Sequence, residues 1–128
     1  MITGVEHIAI FSSNPESLRD WYARVLDFRI VKENDSRRTY WLQTSDGMLF
    51  ELKRADKNCK EYDEKVSGLR HVALATDSFE GDVAHLKSEG VDIISEPTIS
   101  ATGGKTFFFR DPDGNIFQLI SRSQPLFQ

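Results

Sequence analysis

One cysteine in 128 residues, Cys59, leaves no partner for an internal disulfide, which excludes a cross-linked secreted scaffold. Long apolar runs are missing as well. Stretches such as Val72-Ala73-Leu74-Ala75 and Phe107-Phe108-Phe109 fall far short of the roughly 20 residues that cross a bilayer. Positive charge is scarce: sixteen Lys and Arg stand against twenty Asp and Glu, a formal −4, and the cations are scattered. That excludes the basic stripe by which a protein grips nucleic acid. No secretory leader is expected, since Met1-Ile2-Thr3-Gly4 does not resemble one and runs straight into a short strand pattern containing Glu6 and His7. The expectation is a cytoplasmic protein with a small-molecule or protein partner, bound to neither nucleic acid nor membrane. What is present, 39% hydrophobic and 28% charged residues, is the composition of a folded globular chain at the usual size of one domain.

The chain repeats itself. Gly4-Val5-Glu6-His7-Ile8-Ala9-Ile10 returns as Gly68-Leu69-Arg70-His71-Val72-Ala73-Leu74, with Gly, His and Ala identical. Self-similarity at a fixed offset marks two copies of one supersecondary unit. Both segments read as strands. Asn14-Pro15-Glu16 then supplies an N-cap, a proline for the first helical position and an early acid, and Leu18, Trp21, Tyr22, Val25 and Leu26 recur at helical spacing. This helix should end near Asp27. Its counterpart is capped by Asp77 or Ser78, carries Phe79, Val83 and Leu86, and stops at Gly90. Asp and Gly both accept the left-handed conformation that follows a helix.

Strands Phe28-Arg29-Ile30-Val31 and Val91-Asp92-Ile93-Ile94 come next, followed by the strongest match. Residues 39–52 parallel residues 106–119, each with an Asp-Gly turn signal between apolar runs. The expected fold is α+β: one domain over 1–128, built from two tandem βαβββ modules, about 1–54 and about 68–122, with a polar link at about 55–67. The modules should form a cupped, open mixed β-sheet half-barrel with the helices on its outer face. The open face is where chemistry belongs.

Strand alternation selects the residues that reach that face. His7 shares a face with Val5, Ala9 and Phe11, while Ile8 and Ile10 point the other way; Glu51 shares a face with Leu49 and Lys53, leaving Met48, Phe50 and Leu52 for the helix. The repeat puts His71 in the place of His7 and Gln118 in the place of Glu51. A pseudo-twofold relation would draw both pairs towards one point. Two imidazoles, a carboxylate and an amide oxygen suit a divalent ion of the zinc, nickel, cobalt, iron or manganese type, with positions left for water or substrate.

The βαβββ repeat, the histidine-bearing first strands, the Phe50-Glu51-Leu52 of the first hairpin and the ending Asp111-Pro112-Asp113-Gly114-Asn115-Ile116-Phe117-Gln118-Leu119-Ile120 resemble the vicinal oxygen chelate superfamily of glyoxalases, bleomycin resistance proteins and extradiol dioxygenases. The resemblance covers nearly the whole chain and is nearest to short glyoxalase I-like members. It implies metal ligands at His7, Glu51, His71 and Gln118. It also implies a metal-dependent lyase or isomerase, similar to lactoylglutathione lyase, acting on a small carbonyl or hemithioacetal by proton transfer through a metal-stabilised enediolate. A homodimer and a glutathione or other thiol adduct as substrate are implied by the same analogy. The sequence departs from the pattern at one point. Many such glyoxalases carry a glutamate at the last position as the base, and Gln118 is an amide that cannot take a proton. Glu51, at the corresponding place in the other half, is then ligand and catalytic base together.

Two alternatives stay open. His7, His71 and Glu51 also make the two-histidine, one-carboxylate set of a non-haem iron dioxygenase. An extradiol enzyme would want a further acid-base residue, and the remaining histidine, His85, is expected on the outer helix surface. A metal-free drug-binding protein would line its cup with aromatics, for which Trp41, Tyr40, Phe107 and Phe109 are candidates, although aromatic runs in strands usually build cores. Asp111, Asp113 and Asn115 read as a hairpin turn and not as a calcium loop, because Pro112 intrudes and Arg122 stands where a closing glutamate belongs. Gly103-Gly104-Lys105, Arg37 and Arg38 are candidates for meeting an anionic substrate group. Cys59, without a neighbouring histidine, reads as inert.

Overall fold

Each half of the sequence folds into a strand, a helix and three further strands. The computed structural model describes residues 1–58 and 63–126; Cys59, and with it the assignment of an inert thiol, and Lys60 and Glu61 of the polar link lie outside them. The elements run β1 (His7–Ser12), α1 (Pro15–Val25), β2 (Arg29–Asn34), β3 (Thr39–Gln43), β4 (Leu49–Arg54), then β5 (His71–Ala75), α2 (Phe79–Ser88), β6 (Asp92–Ile99), β7 (Lys105–Arg110) and β8 (Ile116–Ser121). They divide between two compact units, Met1–Cys59 and Lys60–Gln128. Each unit holds one open sheet of four strands, in the orders β1-β4-β3-β2 and β5-β8-β7-β6. In each, the first and last strands of the module pair in parallel and the remaining neighbours are antiparallel. A parallel pair needs a long crossover, and the helix lies within it. The fold class is therefore α+β, as the repeat implies. Among the described residues no helix is long and apolar enough to cross a membrane.

The helix ends follow the local chemistry. Asn14 Oδ1 accepts from the Ser17 amide at 3.2 Å, Pro15 takes the first helical position, and after the Leu26 cap Asp27 adopts φ 58°. In the second unit Ser78 is the N-cap, and Gly90 ends the helix at φ 73°. Both left-handed residues fall where the sequence places them.

One face of each sheet takes the helix and becomes core. In the first unit Leu18, Tyr22 and Val25 of α1 are buried together with Phe28, Tyr40, Leu42, Phe50 and Leu52. Tyr22 and Phe50 both pack edge-on or tilted against Phe28, at 5.8 and 5.0 Å between ring centroids. In the second unit Phe79, Val83 and Leu86 of α2 are buried, as are Phe107, Phe109, Phe117 and Leu119 of the sheet. Each such side chain contributes about 1.5–3 kcal/mol by leaving water.

Two strands outrun their apolar patterns. β2 continues past Val31 to Asn34, with a register shift between Ile30 and Lys32, and β6 continues past Ile94 to Ile99 through Glu96 and Pro97. Both are edge strands with mostly exposed side chains, so backbone pairing sustains them where hydrophobicity gives no signal. Pro97 is tolerated there because an edge strand has one side without ladder bonds.

Several residues expected to meet an anionic group make contacts within the fold. Arg38, left-handed at φ 49° after a short 3-10 helix Asp35–Arg37, forks onto Glu16, with Nη2 2.6 Å from Oε1 and Nε 3.0 Å from Oε2. The backbone amide of Arg37 donates to Asn34 Oδ1 at 3.3 Å. Lys105 pairs with Glu80, and Gly103 closes a turn by donating to the Ser100 carbonyl. Tyr40, Phe107 and Phe109 belong to the helix-side core and line no open face. The Asp111 loop is the expected hairpin turn: Oδ1 accepts from the amides of Asp113 and Asn115, and Oδ2 from Asn115 Nδ2. His85 is exposed on α2.

Candidate functional site

The sheet face opposite each helix carries the polar candidates. Along β1, His7, Ala9 and Phe11 are exposed while Ile8 and Ile10 are partly covered and Ser12 is buried. Along β4, Phe50 and Leu52 are buried while Leu49, Glu51 and Lys53 lie on the other face. The parallel register matches His7 with Leu49 and Ala9 with Glu51, which makes His7 and Glu51 diagonal neighbours on one surface. His7 Nε2 lies 3.8 Å from Glu51 Oε1, with side chains 36% and 15% exposed. The other ring nitrogen, Nδ1, is 2.8 Å from Glu6 Oε1.

The second unit repeats the arrangement. β5 matches His71 with Ile116 and Ala73 with Gln118, so His71 and Gln118 keep the same diagonal relation across a parallel pair. Both lie on the face away from the buried Phe117 and Leu119. Within each unit, therefore, one histidine and one carboxylate or amide residue share the open face.

An aromatic ring stands beside each histidine. Trp41, in register with Glu51, meets His7 edge-on at 5.0 Å between centroids, and Phe108, in register with Gln118, meets His71 at 5.5 Å and 90°. Phe108 was not distinguishable from Phe107 and Phe109 by hydrophobicity, because alternation in an all-aromatic run leaves no trace. The repeat itself could have found it: Trp41 and Phe108 are separated by the same 67 residues as Glu51 and Gln118.

The donor chemistry of the first pair fits a cation. A carboxylate accepts only, so Nδ1 must donate to Glu6, and in the neutral ring Nε2 then presents a lone pair towards Glu51. At 3.8 Å the two atoms make no hydrogen bond. Two donors of one metal, each at about 2.0–2.2 Å, stand at most about 4.4 Å apart, so the pair is within the span of a single ion. Among the described residues no three His, Cys, Asp or Glu side chains gather as a metal-holding group. Each unit by itself supplies two candidate donors.

A βαβββ module used twice, with a histidine on its first strand and a carboxylate or amide on its last, defines a class of two-module proteins. The chain belongs to the Glyoxalase/Bleomycin resistance protein/Dioxygenase superfamily, whose family model matches residues 4–119. It is 29% identical over 118 residues to the uncharacterised YwkD protein of Bacillus subtilis, an alignment covering 88% of this chain and 92% of that one. It is also 29% identical over 119 residues to biphenyl-2,3-diol 1,2-dioxygenase 2 of Rhodococcus globerulus, covering 88% of this chain and 60% of the dioxygenase. The fold matches that of a fosfomycin resistance protein of Listeria monocytogenes, solved with manganese(II) and 1S,2S-dihydroxypropylphosphonic acid. That match has a TM-score of 0.78 and 17% identity, covering 98% of this chain and 94% of the other.

Proposed function

We propose that the protein is a metal-dependent lyase or isomerase of the glyoxalase I kind, moving a proton on the carbon beside a carbonyl of a small substrate or a thiol hemithioacetal. The observation that carries this is the Glu51 carboxylate, mostly shielded and 3.8 Å from the His7 imidazole on the open face. In this proposal His7, Glu51, His71 and Gln118 hold one divalent ion, zinc, nickel, cobalt, manganese or iron, within one chain or across a homodimer. The ion would stabilise negative charge on the substrate oxygens as the proton leaves. Glu51 takes that proton and returns it to the adjacent carbon, so nothing is consumed and no electron changes hands. Gln118, an amide, binds without competing for the proton. Trp41 and Phe108 flank the two imidazoles edge-on. Exchange of a substrate carbon-bound proton with deuterated solvent tests the chemistry: Glu51→Gln should slow it by at least about 100-fold while metal content persists. Exchange at the wild-type rate in that variant would remove Glu51 as the base.

A second reading draws support from the 29% identity with the Rhodococcus dioxygenase. Under it His7, His71 and Glu51 hold iron(II), and the substrate is a catechol opened by oxygen. Oxygen uptake by iron(II)-loaded protein over a panel of catechols would favour it, and none would leave proton transfer as the better account.

A further inference from the structure

We infer that Glu6 is a positioning residue for His7, fixing the ring so that Nε2 faces Glu51, and that its absence from the second module makes the two histidines unequal as ligands; this rests on the metal-site proposal above. The hydrogen bond between Nδ1 and Glu6 Oε1 is 2.8 Å long, and an ionised carboxylate can only accept it. A proton therefore sits on Nδ1, and Nε2 faces Glu51 Oε1 across the open face at 3.8 Å. A carboxylate on the far nitrogen of a ligating histidine selects its tautomer, holds its plane and raises the electron density of the donor nitrogen. Trp41, edge-on at 5.0 Å, restricts the ring from the side.

The second module lacks the device. Arg70 occupies the position before His71 that Glu6 occupies before His7. Its Nε turns back to donate to the Leu69 carbonyl at 2.9 Å. A guanidinium carries no acceptor, so it cannot take a proton from His71 in any rotamer. The repeat has kept both imidazoles, and among the described residues only His7 has a carboxylate partner.

Because Glu6 precedes β1 and its side chain is 79% exposed, its replacement leaves the core untouched. The experiment compares wild type, Glu6→Gln and Glu6→Ala by nitrogen NMR of ring-labelled histidine in the metal-free protein at about pH 8, above the ordinary imidazole range, and by manganese(II) titration. His7 should be largely in the Nδ1–H form in wild type and in Glu6→Gln, whose amide oxygen still accepts, and should move to the Nε2–H form in Glu6→Ala. The manganese Kd should weaken about 10-fold in Glu6→Ala, and less in Glu6→Gln. A His7 tautomer population identical in wild type and Glu6→Ala overturns the inference, as does unchanged manganese affinity in Glu6→Ala. If wild type binds no manganese at all, the metal-site proposal fails, while the tautomer comparison still decides whether Glu6 orients His7.

Discussion

Trp41 lies edge-on to His7, ring centroids 5.0 Å apart at 69°, so whatever His7 holds is held beside an indole. The chain has two tryptophans, and the other, Trp21, belongs to α1 on the opposite side of the sheet, its ring 5.7 Å from that of Tyr22. A paramagnetic ion such as cobalt(II) or nickel(II) on His7 should quench Trp41 and spare Trp21. Titration of the single-tryptophan variants checks this. Trp21→Phe, which keeps Trp41, should retain the metal-dependent fall in fluorescence, and Trp41→Phe should lose most of it. Equal quenching in both would mean that the ion binds elsewhere.

The first module is also tied together on its helix side by ionised groups. Arg38 holds the Glu16 carboxyl below the usual carboxylate range, helped by the Tyr40 hydroxyl and opposed by partial burial. Burial, and then hydrogen bonds to the Glu16 and Asp35 carboxylates, push Tyr40 up to about 12. Arg19 completes the cluster, its guanidinium 4.6 Å above the Tyr40 ring. The signs are opposite. The lowered Glu16 stabilises the fold above the ordinary value of 4.5 and loses that contribution as pH falls below it. The raised Tyr40 contributes fully below 10 and loses its contribution between 10 and about 12. Urea midpoints measured across pH should fall at both ends. Tyr40→Phe should flatten the alkaline fall and remove the tyrosinate step at about 12 in an absorbance titration.

Asp111 is buried at 3% exposure and accepts three hydrogen bonds from the turn it spans. The corresponding turn of the first module relies on Thr44, whose Oγ1 accepts from the Met48 amide at 3.0 Å. The two turns do the same work with unequal strength. Asp111→Ala strands three donors of a charge-assisted set and should cost about 2–4 kcal/mol, whereas Thr44→Ala, losing the bond from the Met48 amide and the one to the Asp46 carboxylate in a more exposed turn, should cost about 1 kcal/mol. Chemical denaturation of the two variants gives both numbers, and similar losses would show that the buried carboxylate adds nothing special.

Much of this was legible in the sequence because the modules repeat. His7 and His71 share a heptapeptide context, and the Asp-Gly turns locate both hairpins, so the strands, helices and the outward face of Glu51 follow from period and offset alone. Asp27 and Gly90 mark the helix ends because few residues tolerate that backbone. The parts that could not be read depend on partners distant in sequence. Arg38 looks like a free cation until Glu16, 22 residues earlier, is seen to occupy it. The tail of β2, Lys32-Glu33-Asn34, is held by backbone pairing to β3, which composition does not record. The role of Glu6 turns on side-chain geometry and not on residue type.

The repeat supplies a last prediction, because it makes Glu51 and Gln118 interchangeable in principle. Each lies on the last strand of its module, two residues along a parallel pair from its histidine's partner, and each is in register with the aromatic ring of the neighbouring strand. If Glu51 is the base, Glu51→Gln leaves two amides and should lower the proton-transfer rate by about 10²–10⁴-fold. Adding Gln118→Glu to that variant returns one carboxylate to the equivalent place. The double variant should recover at least about 10-fold of the loss with metal content unchanged. No recovery in a folded, metal-loaded double variant would mean that the two modules, though matched in backbone and register, are not equivalent in the chemistry they support, with Glu51 set apart by its own surroundings.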